Sequence, residues 1–268
     1  MTTPKINTIK RGGSRLYVHP ETADKVPGVT SVLNMLPKEF LKFWAAKVVA
    51  ETAVENLGSV VGLAMGDPQG AIDYLKRAPM RNTGAAADMG TTVHDMYERL
   101  SRGEDVGRVT PDLKPYLAIY RDFESKFQPE FLHIEDTVWS ETHGYAGSFD
   151  GIAKVTDPDT GDRMTVILDW KTTRSGVHEE VALQLSAYKN ADYIVTADGE
   201  RVDIPEIEGG IVVHARPEGG QVVPARVDDE VFEIFKHLLS VYKYEKEFKK
   251  GVLGNGIPLS SEVKRGLK

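Results

Sequence analysis

Two stretches, "AGSFDGIAKV" at residues 146–155 and "VILDWKTT" at residues 166–173, decide the expected fold and site. Each is an apolar, strand-like run that carries one aspartate, Asp150 in the first and Asp169 in the second. The segment "DPDTGD" at residues 157–162 is a strong turn signal between them, so the pair predicts an antiparallel hairpin. Because cross-strand neighbours are about 5 Å apart, we expect the two carboxylates to lie side by side.

Lys171 follows Asp169 by two residues, so the alternation of a strand places both side chains on one face. Two close carboxylates repel each other unless a cation or a shared proton lies between them. Hard oxygen ligands favour Mg²⁺ or Mn²⁺, ions that activate water and stabilise charge on a phosphate. The residues therefore predict a site for one or two such ions, suited to phosphodiester hydrolysis. In it, Lys171 orients or deprotonates the attacking water or neutralises charge on the phosphate.

Composition narrows the class of protein. The chain has 268 residues, of which 41% are hydrophobic, enough for a sizeable core. Its net charge of -7 gives no overall basic surface of the kind that coats DNA, although an enzyme that meets DNA in one groove needs only local positive charge.

The absence of cysteine excludes disulfides, thiolate catalysis and cysteine-held iron–sulfur clusters. With neither a signal core nor an apolar run of about 20 residues, we expect a cytoplasmic protein without a membrane partner.

The periodicity changes along the chain. Helical spacing dominates the first half, where Phe40, Phe43 and Trp44 are expected in the core rather than as a base-stacking platform. Strand-like runs at 133–141, 144–156 and 163–173 predict an antiparallel meander, followed by a helix at 178–195, two strands at 208–216 and 219–227, and a helix at 228–250. We expect a leader and helical portion at 1–83 packed on a core at 84–250, with a polar tail at 251–268.

Three motifs carry a family resemblance. "GSFDGIAKV" at 147–155, "ILDWKTT" at 167–173 and "QLSAY" at 184–188 resemble the nuclease motifs of the PD-(D/E)XK superfamily. The likeness is to its RecB-like branch, which includes CRISPR-associated RecB-like nucleases and many phage exonucleases, and it covers roughly residues 84 to 195. It implies an α/β, restriction-endonuclease-like core of αβββαβ order, with a mixed central sheet flanked by helices and an added N-terminal helical portion.

The resemblance also implies roles for single residues. Asp150 and Asp169 match metal ligands, Lys171 matches the catalytic lysine, and the carbonyl of Trp170 matches a backbone ligand. His94, in "GTTVHDMYE" at 90–98, matches a metal-binding histidine on an upstream helix.

Three further residues are expected around the site. Gln184 and Tyr188 match positions that shape the site and meet DNA, although core packing is an equal expectation for Tyr188. From its position on the strand before Asp150, Glu141 is a candidate further carboxylate.

The chain also lacks some sequence features that other members of this superfamily have. Without cysteine it is not the iron–sulfur subtype, and without a GxxxxGK[ST] motif it binds no nucleotide through a Walker site. Phe149-Asp150 replaces the proline-aspartate pair that names the superfamily, but the aspartate still supplies the ligand.

The expected function is metal-dependent hydrolysis of DNA phosphodiesters, as an exonuclease in phage recombination or DNA processing. A structure-specific or nicking endonuclease, a non-catalytic DNA-binding or assembly subunit, and a hydrolase of small phosphoesters remain alternatives. The expected partner is single- or double-stranded DNA with ends. A recombinase, a helicase, a single-strand-binding protein and a second copy of the chain are left open. If the protein is phage-encoded, it acts in the bacterial host cytoplasm.

Overall fold

The computed structural model describes residues 6–257, with no side-chain description for residues 82–87. Its helices are α1 Val29–Leu33, α2 Phe40–Glu55, α3 Leu57–Gly66, α4 Pro68–Lys76, α5 Ala78–Ser101, α6 Lys114–Phe127, α7 Glu180–Lys189 and α8 Asp229–Lys243, with a π turn at Tyr244–Phe248 and a 3-10 turn at Lys249–Gly251. Its strands are β1 Thr8–Arg11, β2 Ser14–Val18, β3 Lys25–Pro27, β4 Glu130–Ile134, β5 Thr137–Ser140, β6 Tyr145–Ser148, β7 Gly151–Thr156, β8 Arg163–Lys171, β9 Tyr193–Val195, β10 Arg201–Val202, β11 Gly209–Arg216 and β12 Gly219–Ala225.

A five-stranded sheet in the order β12-β11-β8-β7-β4 forms the centre of the molecule. Strand β8 pairs antiparallel with β7 and parallel with β11, so the sheet is mixed. One face packs against α1, α7 and α8, while the other packs against α5 and α6. Successive residues of β8 divide between these two cores, Ile167 to the first and Leu168 to the second, as the alternation of a strand requires. The chain is therefore a mixed α/β protein.

Two smaller sheets extend this centre. One has the order β10-β9-β5-β6 and the other the order β1-β2-β3. The expected meander needs correction here, because the first two strand-like runs each divide between two sheets, into β4 and β5 and into β6 and β7. Residues 193–195, expected at the end of a helix, instead form β9 beside β5. Their sequence, Tyr-Ile-Val, favours a strand.

The expected segment boundaries also change. Helix α5 begins at Ala78 and continues to Ser101, so the expected boundary between residues 83 and 84 lies inside one helix. The leader contains the three-stranded sheet of β1–β3, and Gly28 bridges to Ala146 of β6. Residues 258–268 of the expected tail lie outside the described residues.

Helices α2 and α3 expose apolar side chains. Phe40 and Phe43 are 55% and 76% exposed, which corrects their expected place in the core, and no residue of α3 is buried. In residues 6–257 no single helix has the length and apolar character to cross a membrane; α2 and α3 together do, but they form a pair bent by 89°.

Candidate functional site

Strand β4 of the central sheet continues into β5 of the four-stranded sheet, and β6 of that sheet continues into β7 of the central sheet. Both connections bend at the same point along this hairpin. Glu135, between β4 and β5, adopts a left-handed backbone with φ 57°. Its N–H donates to the carbonyl of Asp150 (3.2 Å), and the N–H of Phe149 donates to the carbonyl of Asp136 (3.1 Å). Backbone pairing thus continues through the bend, and Glu135 and Asp150 are held opposite each other.

The carboxylate of Asp150 is buried and held by the neighbouring strand. The backbone N–H of Trp170 donates to Asp150 Oδ2 at 2.6 Å, and Asp150 Oδ1 lies 3.7 Å from His94 Nδ1. The register of β7 with β8, in which Gly151 faces Leu168, brings Asp150 opposite Asp169 at the end of the ladder.

Asp169 has a different set of partners. Lys171 Nζ lies 2.5 Å from its Oδ2, and Gln184 Nε2 donates to its Oδ1 at 2.9 Å. The same amide nitrogen of Gln184 donates to the hydroxyl of Tyr188 at 3.2 Å. The three sequence motifs, on β7, β8 and α7, therefore meet at one place in the fold.

His94 reaches this place because α5 approaches β8 closely. One turn before it, Gly90 lies so near the end of β8 that an added Cβ would be 3.1 Å from Thr172 Oγ1. The spacing of four residues puts Gly90 and His94 on one helix face. Among the described residues, the buried Nδ1 of His94 has no hydrogen-bond partner.

Three side chains form a group that can hold a metal ion. One ligand atom each from His94, Glu135 and Asp150 lie within 4.8 Å of one another. Glu135 and Asp150 are only 3% and 6% exposed. Carboxylate oxygens and an imidazole nitrogen suit Mn²⁺, and the carboxylates also suit Mg²⁺. The free Nδ1 of His94 and the two buried carboxylates therefore fit a cation as their common partner.

The protonation of the site follows from burial and from neighbouring charges. Burial raises the pKa of Asp150, and Asp169 raises it further, while His94 and Lys171 oppose the rise. Burial by itself lowers the pKa of Lys171, but the charges of Asp169 and Asp150 outweigh it, so the net pKa lies above the ordinary lysine value. Lys171 is therefore a cation in this arrangement. Burial also raises the pKa of Tyr188, so its hydroxyl stays protonated.

The structure does not bring Glu141 to the site. It is an exposed residue at the far end of the β5–β6 hairpin, where Tyr193 donates to its Oε1 at 2.8 Å and Arg201 lies 3.7 Å away. Glu135, which does lie at the site, was not among the residues expected there from the sequence. The available signal was an acidic pair, Glu135-Asp136, that interrupts a strand-like run just as Phe149-Asp150 interrupts the next.

Two further contacts hold the motifs in place. Tyr188 packs against Gly147, where an added Cβ would lie 2.5 Å from the tyrosine ring, so the glycine of the first motif makes room for the tyrosine of the third. The buried His214 of β11 contacts the carbonyl of Thr173 through Nε2 at 2.7 Å. This bond fixes the segment that follows Lys171.

Comparisons with known proteins add little to this geometry. No family model and no curated protein matches the sequence. The crystal structure of SSO0001 aligns with 78% of this chain and 87% of its own chain, at 14% sequence identity and a TM-score of 0.33. A similarity this low supports no conclusion about function.

Proposed function

We propose that the chain is a metal-dependent deoxyribonuclease of the RecB-like branch of the PD-(D/E)XK superfamily, with a restriction-endonuclease-like core. The observation that carries the proposal is the meeting of Asp150, Asp169 and Lys171 beside the buried group formed by His94, Glu135 and Asp150. A surface salt bridge would not need two buried carboxylates on adjacent strands, since burying such groups is costly without a cation. If the strands of the two smaller sheets and helix α6 are set aside, α5, β4, β7, β8, α7 and β11 follow one another along the chain, which supports the proposed αβββαβ core.

The residues divide into two roles in this proposal. His94, Glu135 and Asp150 would hold the ion, with Asp169 and the Trp170 carbonyl as further ligands. A bound Mg²⁺ or Mn²⁺ supplies Lewis-acid polarisation of the phosphate and lowers the pKa of a water.

Lys171 is the protein's own cation at the site. Its ammonium group neutralises charge on the phosphate and orients the attacking water. Gln184 on α7 donates a hydrogen bond to Asp169, which keeps the carboxylate of Asp169 beside Lys171.

We propose exonuclease action on DNA ends, in recombination or DNA processing, on the strength of the motif resemblance. The test is degradation of end-labelled linear and closed circular DNA, single- and double-stranded, with Mg²⁺, Mn²⁺ or EDTA. We expect metal-dependent loss of linear DNA alone, reduced at least about 100-fold by Lys171→Ala. The matched control is Lys154→Ala, which removes an exposed lysine from the adjacent strand β7 and should leave the rate unchanged.

Other results would redirect the proposal. Cutting of circles would indicate an endonuclease. Cleavage of a chromogenic phosphodiester but of no DNA would indicate a small-phosphoester hydrolase. DNA binding without cleavage of any substrate would contradict catalysis and indicate a binding or assembly subunit.

A further inference from the structure

Two arginines follow the site at one edge of the central sheet. The parallel strands β8 and β11 stay paired up to Lys171 and His214. Arg174 comes three residues after Lys171, and Arg216 comes two residues after His214. From a rise of about 3.3 Å per residue and a strand spacing of about 4.8 Å, both α-carbons lie within about 11 Å of that of Lys171.

The contact between His214 and the Thr173 carbonyl keeps these two segments together. The pairing of β8 with β11 ends at Lys171, but Nε2 of the buried histidine lies 2.7 Å from that oxygen and holds the Thr173 carbonyl beside β11. Arg174 is the next residue after Thr173, so its backbone position is fixed relative to β11 and Arg216.

Among the residues whose side chains the structure describes, neither the exposed Arg174 nor the half-buried Arg216 has a hydrogen-bond or ion-pair acceptor for its guanidinium group. Some other arginines do have one, such as Arg163, which pairs with Glu130 at 3.0 Å, and Arg121, which pairs with Glu124 at 2.7 Å. Arg216 by contrast has a buried Nε without a hydrogen-bond partner in that part of the chain. A buried donor left without an acceptor costs about 1–3 kcal/mol, so a ligand oxygen is the natural partner.

The surrounding charges permit an anion here. Tyr116 lies close to both Arg174 and Glu218: burial raises the pKa of its hydroxyl, the charge of Glu218 raises it further, and the charge of Arg174 lowers it. Glu218 forms no ion pair with either arginine among the described residues. Lys171 is the third basic group at this edge, and the carboxylate it contacts is Asp169 of the site itself.

We infer that Arg174 and Arg216 bind backbone phosphates of the DNA strand next to the bond that is cut, an inference that rests on the proposed function. A planar guanidinium presents two parallel N–H donors to a phosphate, which a lysine cannot reproduce. Such contacts hold a strand in register without reading its sequence. They also supply the local positive charge that a net charge of -7 does not reveal.

The test is binding of a fluorescein-labelled single-stranded 20-mer by anisotropy, in EDTA so that no cleavage occurs, between 50 and 200 mM salt. For Arg174→Gln and Arg216→Gln we expect roughly five- to tenfold weaker binding each, and a salt slope smaller by about 0.7 per lost phosphate contact. Arg163→Gln, at the opposite end of β8, is the matched control and should bind as the wild type does.

Arg216→Lys provides a second variant in case the glutamine substitution of this half-buried residue disturbs folding. Lysine keeps the positive charge but lacks the two parallel N–H donors of the guanidinium group, so we expect an affinity for DNA between those of the wild type and Arg216→Gln. If the wild type binds and cleaves DNA while both glutamine variants bind equally well with the wild-type salt slope, the inference fails and the proposed function stands. If the wild type neither binds nor cleaves DNA, both fail together.

Discussion

The backbone N–H of Glu135 donates to the carbonyl oxygen of Asp150 across the bend of a hairpin, at 3.2 Å. This bond holds the two residues opposite each other at the point where both strands pass from one sheet to the next. Their carboxylates, together with His94, form the buried group that can hold a metal ion.

The first prediction is that Glu135 is a metal ligand. Glu135→Gln removes one anionic ligand while keeping size and burial, so we expect Mn²⁺ affinity to fall at least about tenfold. Titration calorimetry measures the affinity directly. The rise in Tm that Mn²⁺ gives the wild type should shrink in parallel, since stabilisation follows the ratio of ligand concentration to Kd.

Glu141→Gln is the control for that prediction. Glu141 is the carboxylate that sequence position favoured, but the structure places it with Tyr193 and Arg201. Its substitution should leave Mn²⁺ affinity unchanged. A loss of affinity in this variant, with none in Glu135→Gln, would contradict the assignment.

The contrast between these two glutamates shows how far sequence reasoning reached. Local patterns predict the hairpin of β7 and β8, the same-face placement of Asp169 and Lys171, and the i to i+4 relation of Gln184 and Tyr188, because each depends on residues close in sequence. The choice of Glu135 over Glu141 depends on a left-handed backbone at Glu135, a conformation that glutamate rarely adopts and that tertiary packing imposes.

The exposed aromatic residues of α2 illustrate a second limit. Apolar spacing predicts which face of a helix is apolar, but not whether the rest of the chain covers that face. Phe43 is 76% exposed, whereas Val48 on the same helix is buried. Pairing of β9 with β5 is likewise a long-range contact, so the Tyr-Ile-Val segment could not be separated from the preceding helix by periodicity alone.

The second prediction concerns pH and the buried Asp150. Its folded pKa lies above the unfolded value, chiefly because of burial, so its contribution favours folding at low pH and is lost as the pH rises through the folded pKa. Asp150→Asn cannot ionise, yet its amide oxygen can still accept from Trp170 N–H. In EDTA we therefore expect the variant to match the wild type near pH 4 and to become more stable as the pH rises, by roughly 1–3 kcal/mol.

Urea unfolding of both proteins at several pH values measures this difference. Groups remote from the site cancel between the two proteins, so the comparison reports Asp150 together with the neighbours that its charge affects, Lys171 among them. A difference in the free energy of unfolding that stays constant with pH would contradict the raised pKa. Mn²⁺ should reverse the order by stabilising only the wild type.

The third prediction tests the contact between Gly147 and Tyr188. In Gly147→Ala the new Cβ would lie 2.5 Å from Tyr188 Cε1 and 3.1 Å from Val29 Cγ2, so the ring must shift. Overpacking of this kind costs about 1–3 kcal/mol. We expect a lower Tm, together with slower DNA cleavage because Tyr188 contacts Gln184 and Gln184 contacts Asp169.

Gly62→Ala provides the matched control for this substitution. Gly62 lies inside α3, and its added Cβ would meet no atom within 4 Å. Alanine is the better helix former there, so a gain of up to about 1 kcal/mol is expected. Equal Tm values for wild type and Gly147→Ala would mean that the ring does not restrict this position.

The last prediction is that His214 is a positioning residue for the segment after Lys171. A carbonyl oxygen can only accept, so Nε2 must carry the proton in its contact with Thr173. His214→Leu removes that donor next to the paired Lys171, and we expect kcat to fall about tenfold with a smaller change in KM. His214→Gln places an amide N–H near the former Nε2 and should recover most of the loss. If the leucine and glutamine variants cleave equally slowly while both keep the wild-type Tm, the hydrogen bond does not position Lys171, and the ring acts only by filling space.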